Sequence, residues 1–253
     1  MENLLYNYKL LIAYDGTNFG GWQIQPNALS IQEVLQETAQ IILQKPITLI
    51  GSGRTDAGVH ATGQVAHFKT PQELDLRRFL NSMNGLLPKD IRLLAIDPAP
   101  LSFHAQYDAI GKIYHYHLYL RPVECPFSRH YALHLRVPLD LLLLEKAAAL
   151  LVGTHDFTSF ANEAAHGSAS RMAIRTLSRV TLVQEEEGLR LEFEANGFLY
   201  KMVRNLVGVL LDVGTGKKSL DYIPFLFKAK DRKMASRAVP PHGLFLHQVI
   251  YKE

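Results

Sequence analysis

The sequence predicts an α+β protein of two ferredoxin-like βαββαβ halves with mainly antiparallel sheets. Three observations support this. Apolar runs of strand length alternate with stretches of helical periodicity. The order β-α-β-β-α-β can be read over residues 1–108, and the same order can be read again over 109–253. No residue-level repeat links the halves, so the repetition is one of architecture. The sheets of two such halves could join, and the active site is expected in a cleft between them.

In the first half, YKLLIAYD (8–15) reads as a buried strand, followed by a glycine-rich loop through Pro26 that carries Trp22. Ser30 with Glu33 forms a capping box that starts a helix, with Val34, Leu35, Ile41 and Ile42 as its apolar face. ITLIGSG (47–53) and QVAHF (64–68) read as strands flanking a loop, so Asp56 is expected at a strand end. Residues 75–86 read as a helix, and IRLLAID (91–97) as a strand before the turn Pro98-Ala99-Pro100. In the second half the corresponding elements are KIYHYHLYL (112–120), a helix over 139–152, strands over 174–185 and 189–195, the helix FLYKMVRNLVGVLLDV (198–213) and the last strand LFLHQVIY (244–251).

Composition narrows the functional classes. Of 253 residues, 47% are hydrophobic and 20% charged, without a low-complexity tract, as in an ordinary folded protein. No apolar run reaches the ~20 residues of a spanning helix, and MENLLYNYKLL lacks a basic leader and cleavage site, so the expected location is cytoplasmic, without membrane attachment. A single cysteine, Cys125, excludes an internal disulfide and a Cys-based zinc cluster. The net charge of +3 is too mild to mark a nucleic-acid binder, so that function must rest on where basic residues cluster.

The stretch GSGRTDAGVHATG (51–63) holds four glycines around one carboxylate. The glycines permit positive φ and close approach of a ligand to Asp56. A hairpin turn in which Asp56 and Thr55 satisfy backbone amides is equally compatible with the spacing. Arg54, two residues away in extended backbone, can share a face with Asp56 and favour its ionised form, which suits a nucleophile or base. A glycosidase would need a second carboxylate, but no pattern places Asp15 or Asp108 beside Asp56, and Asp15 reads as a turn residue before Gly16.

Strand alternation puts Tyr114 and Tyr116 on one face, for stacking on a planar ligand or for the core, and His115, His117 and Tyr119 on the other. The two histidines have no further ligand cluster at metal-binding spacing, and no metal is expected. Lys201 and Arg204, three apart in an otherwise apolar helix, are expected to point into a cleft or toward a partner. In KAKDRKMASR, Lys228, Lys230, Arg232, Lys233 and Arg237 are candidates for phosphate contacts, or simply a solvated surface. VGTGKKS looks like the end of a phosphate-binding loop but has Leu211 and Lys218 where that motif needs Gly and Ser or Thr.

Taken together, GRTDAGVHATGQVAHF, YDGTNFGGWQIQ, KIYHYHLYL, GTHDFTSF, NGFLYKMVRNLVG and SRAVPPHGLFLHQVIY resemble the TruA family of tRNA pseudouridine synthases over the length of the chain. The resemblance implies an isomerase, a homodimer of two α+β halves. Such an enzyme converts uridine to pseudouridine on the 3′ side of the tRNA anticodon arm without cofactor or metal. It implies that Asp56 is the catalytic aspartate, that Tyr114 stacks on the target base, that Arg54 belongs to the catalytic motif, and that Arg204 is the basic residue paired with the aspartate. Lys201 is expected to bind substrate beside Arg204. Phe19 and Lys112 depart from the family's more frequent Tyr and Arg. The competing expectations are a non-catalytic RNA-binding protein using the same basic cleft and a carboxylate-dependent nucleoside hydrolase.

Overall fold

The computed structural model describes residues 5–162 and 173–252, and the architecture is mixed α+β. The chain forms two compact units. One comprises the residues up to Ile110 together with those from Phe245 onward, and the other is Gly111–Leu244.

The first unit runs β1 (Tyr6–Tyr14), α1 (Ile31–Leu43), β2 (Ile50–Gly51), β3 (His60–Thr70), α2 (Leu76–Leu86) and β4 (Ile91–Ala99). β1 lies between β4 and β3, antiparallel to both, and β2 pairs antiparallel with β3. α1 starts where the capping box requires. Ser30 Oγ accepts from Glu33 N at 3.3 Å, and Glu33 Oε2 accepts from Ser30 N at 3.3 Å, an arrangement worth about 1 kcal/mol. The buried face of α1 is Ile31, Leu35, Thr38, Ala39 and Leu43, whereas Ile41, expected on that face, is exposed.

The 47–53 strand shrinks to two residues. Gln32 Nε2 donates to Leu49 O at 2.7 Å, and Leu49 N donates to Gln36 Oε1 at 3.1 Å, so side chains of α1 take over bonds a ladder would otherwise make. β4 continues to Ala99 instead of turning at Pro98. Pro98 is exposed and stands opposite Tyr8 on a strand at the end of this sheet's order, where a missing N–H is tolerated.

The second unit contains β5 (Ala109–Tyr119, continuing from the first), β6 (Leu133–His134), α3 (Leu141–Leu151), β7 (Gly153–Asp156), β8 (Ile174–Glu185), β9 (Gly188–Ala195), α4 (Met202–Gly214) and α5 (Tyr222–Ala229). The order β5-β9-β8-β7 is antiparallel throughout, and β6 adds a short parallel pairing to β5. β6, β7 and α5 are additional to the six elements read from the sequence. β6 and β7 are too short for a periodicity to show.

The last strand, β10 (Leu244–Tyr251), has the bounds expected from the sequence. It pairs in parallel with β3, Phe245 opposite His60, and from Phe245 onward it groups with the first unit. α4 begins at Met202, later than expected. Its N-cap, Lys201, is left-handed at φ 57°, so Lys201 is not on a helical face with Arg204. VGTGKKS closes this helix, with Thr215 N bonded to Leu211 O and Gly216 N to Val213 O. It is a helix end and not a phosphate cradle. Among the described residues, no helix is long and apolar enough to cross a membrane.

Candidate active site

Asp56 lies in the loop between β2 and β3, four residues before β3 begins, and not at a strand end. Its side chain is half-buried, Arg54 is exposed, and Thr55 between them is buried. Thr55 anchors the loop between them. Thr55 Oγ1 sits 2.8 Å from Tyr14 Oη in a buried contact, and Thr55 O accepts from Trp22 N at 3.1 Å. Burial pushes the Tyr14 phenol well above its usual pKa, so it serves as a neutral hydrogen-bonding group.

On the far side of Asp56, Val59 N donates to Asp56 O at 3.1 Å and closes a turn through Gly58, whose φ of 75° suits glycine. On the near side, Ser52 Oγ donates to Gln64 Oε1 at 2.8 Å and Gln64 Nε2 donates to Gly53 O at 3.0 Å. Gly51 allows a close approach. A Cβ there would lie 2.5 Å from the Trp22 indole, and Trp22 is itself only 1% exposed. The backbone carrying the carboxylate is therefore fixed by β1, β3 and the glycine-rich 16–26 loop, while the carboxylate stays within reach of a ligand.

The sequence alone gives Tyr14, Trp22 and Gln64 no role at the site, and does not show that Thr55 bonds to a tyrosine. The one signal is the placement of the glycine-rich loop and Trp22 directly after β1. Asp15 is a turn residue as expected, with Oδ1 accepting from Thr17 N at 3.0 Å and from Thr17 Oγ1 at 2.6 Å.

The other site candidates belong to the second unit. Tyr114, 8% exposed, stands edge-on to Phe198 with ring centroids 4.9 Å apart. Tyr116 on the same strand face is fully buried and donates to Pro240 O at 2.9 Å. Arg204 is half-buried on the otherwise buried first turns of α4. Its Nε donates to Val239 O at 2.8 Å, and Val239 N returns a bond to Arg204 O at 3.2 Å. The 239–240 segment thus ties Tyr116 and Arg204 to one support. Lys201 Nζ lies 5.0 Å above the Tyr200 ring, an exposed cation–π contact on strained backbone.

The opposite face of β5 is an ion-pair ladder. His117 Nδ1 is 3.0 Å from Glu185, His115 Nε2 is 3.6 Å from Glu192, and Arg190 bridges both carboxylates at 2.7 and 2.9 Å. Burial pushes the Glu192 carboxyl up, but the Arg190 bonds with His115 and Arg179 outweigh it and hold it below the usual range.

The basic run divides. Lys228, Lys233 and Arg237 are exposed. Lys230, also exposed, pairs with Asp156 at 3.0 Å. Arg232 donates to Asn205 Oδ1 at 2.6 Å, to Ala235 O at 3.2 Å and to Asn162 Oδ1 at 3.4 Å, while the buried Asn205 donates to Phe160 O and Asn162 Oδ1. Arg232 thereby braces α4, with each of its three nitrogens donating within the fold.

A family profile described as tRNA pseudouridine synthase matches residues 10–108 and 147–252, and the chain belongs to that family. The chain is 56% identical over 249 residues to tRNA pseudouridine synthase A 1 of Protochlamydia amoebophila (strain UWE25), covering 98% of this chain and 97% of that protein. It is 46% identical over 245 residues to tRNA pseudouridine synthase A of Chlamydia muridarum (strain MoPn / Nigg), covering 96% and 91%. The protein of the same name from Thermoanaerobacter sp. (strain X514) is 42% identical over 245 residues, covering 97% and 99%. Enzymes of this name are isomerases.

Proposed function

We propose that this protein isomerises uridine to pseudouridine in the anticodon arm of tRNA, on its 3′ side, with Asp56 as the single catalytic carboxylate. The observation that carries the proposal is the Asp56 loop, where one half-buried carboxylate, flanked by an arginine, sits on backbone pinned on both sides by buried contacts. Such pinning holds a reactive group at one position through a reaction in which the base must turn.

The chemistry needs no external donor. The N1–C1′ bond breaks with its electron pair on N1, the base turns while bound, C5 bonds to C1′, the proton on C5 leaves to water and N1 takes up a proton, so the product is an isomer. A carboxylate can attack C1′, add to C6, or remove a ribose proton, and each route uses its ionised form. Arg54 and Arg204 supply positive charge for Asp56, Tyr114 stacks on the detached uracil, and Lys201 contacts the substrate. A base within a stem cannot reach a loop carboxylate, so the nucleotide is flipped while Lys228, Lys230, Lys233 and Arg237 contact phosphates.

One tRNA is engaged by residues of both halves, 1–108 and 109–253, in the two-half ferredoxin-like arrangement. The working form is a cytoplasmic homodimer. The test is carbodiimide mapping of pseudouridine in a full tRNA transcript after incubation with the enzyme. Modification confined to the 3′ side of the anticodon arm supports the proposal, and modification elsewhere contradicts the assigned position. Release of free uracil would indicate a hydrolase, and binding without product a non-catalytic RNA-binding protein.

A further inference from the structure

Lys112 stands on β5, two residues before Tyr114. The register between β5 and β9 is unbroken from Lys112 opposite Ala195 to Tyr119 opposite Gly188, so residues 112, 114, 116 and 118 share one face. Tyr114, Tyr116 and Leu118 on that face are buried, and Lys112 is half-buried at its end. On the β9 side its cross-strand neighbour is Ala195, and the next in the row is Leu177 of β8, so neither of these two side chains offers an acceptor. Among the described residues, no hydrogen bond or ion pair engages its ammonium, whereas Lys217 and Lys230 each have a carboxylate. Burial holds its pKa below that of an ordinary lysine.

A lysine on open surface has water as its partner and requires no other explanation. A charge drawn back from water without a partner among the described residues loses hydration that those residues do not replace. That arrangement is unfavourable for stability and suits a group whose partner arrives with a ligand. Two residues along a strand span about 6.7 Å, a distance that a lysine stem is long enough to cover toward a base on the Tyr114 ring.

We propose that the Lys112 ammonium is a substrate contact, which takes a negatively charged oxygen of the nucleotide whose base lies on Tyr114. This rests on the proposed function. The oxygen has two possible sources. One is a phosphodiester next to the target nucleotide. The other is a uracil carbonyl, which gains negative charge when the N1–C1′ electron pair leaves with the base.

The test compares the full-length wild type with Lys112→Met and Lys112→Arg for thermal stability, steady-state kinetics on a tRNA transcript, and tRNA affinity across a salt series. Lys112→Met is expected to keep or raise the melting temperature while kcat/KM falls at least about tenfold, with most activity restored by arginine. With a phosphate, the affinity falls and the slope of log affinity against log salt decreases by about 0.7. With a carbonyl, kcat falls while affinity and slope stay the same. Wild-type kcat and KM in Lys112→Met would overturn the proposal, as would a clear drop in its melting temperature, which would mean that the fold itself satisfies the charge. Lys112→Gln, measured in the same way, repeats the comparison with a second uncharged side chain, and a drop in the melting temperature of both variants overturns the proposal. Failure of the functional assignment itself would show instead in the wild type, as tRNA binding without pseudouridine.

Discussion

The hydroxyls of Tyr14 and Thr55 meet at 2.8 Å in a buried contact, one residue before the half-buried Asp56. Tyr14 ends β1 and Thr55 belongs to the loop before β3, so this contact ties the Asp56 loop to β1. Tyr14→Phe keeps the ring and strands the Thr55 hydroxyl in a buried place, which costs about 1–2 kcal/mol of stability. The expected kinetic result is a fall in kcat with KM little changed, because the loop loses position and not its grip on substrate. Urea denaturation and steady-state kinetics on tRNA check both parts.

Lys201 keeps a left-handed backbone, φ 57°, at the N-terminus of α4. Lys201→Gly relieves that strain and removes the charge. Stability is expected to rise by roughly 0.5 kcal/mol, after the glycine's larger unfolded-state entropy is deducted, while tRNA affinity falls. A thermal melt and a filter-binding titration should therefore move in opposite directions.

The basic run should separate by role. Replacing exposed Lys233 and Arg237 by alanine is expected to flatten the salt dependence of tRNA binding by about 0.7 for each phosphate that is no longer neutralised, with stability unchanged. Arg232→Ala should instead lower stability by about 1–3 kcal/mol, since it leaves the buried Asn205 carbonyl without its 2.6 Å donor. Salt titrations and denaturation curves on the two sets distinguish a surface from a brace.

Acid should weaken the first unit through His67. Burial, with His104 beside it, lowers the pKa of His67 to about 4, and its Nδ1 accepts from Ala105 N at 3.1 Å. An unfolded histidine titrates near 6.5. Above that pH both states hold a neutral ring and the group costs nothing. As the pH falls toward 4 the unfolded chain binds the extra proton and stability declines. At pH 5 the wild type should lose roughly 1–2 kcal/mol more, relative to pH 7, than His67→Gln does. His242, also lowered by burial, is common to both proteins, so the difference isolates His67.

What the sequence discloses follows the range of the interactions. The capping box of α1 and the bounds of β10 are local patterns, readable from neighbouring residues. The brevity of β2 depends on Gln32 and Gln36 reaching Leu49 from another element. The bracing role of Arg232 depends on Asn162 and Asn205, far away in sequence. Lys201 looks helical because its neighbours are apolar, and only the turn into α4 sets its backbone. Asp56 stands out by its glycine and arginine surroundings, but the contacts that hold it come from Tyr14, Trp22 and Gln64 on other segments.

The central claim is that Asp56 isomerises uridine, and the most direct measurement is tritium release from a tRNA transcript labelled at uridine C5, with wild type and Asp56→Asn side by side. Release by the wild type alone, with equal tRNA binding by both proteins and the ribose still joined to a base, is the expected result. Comparable release by the asparagine variant, or labelled tRNA left intact by a wild type that binds it, would contradict the claim.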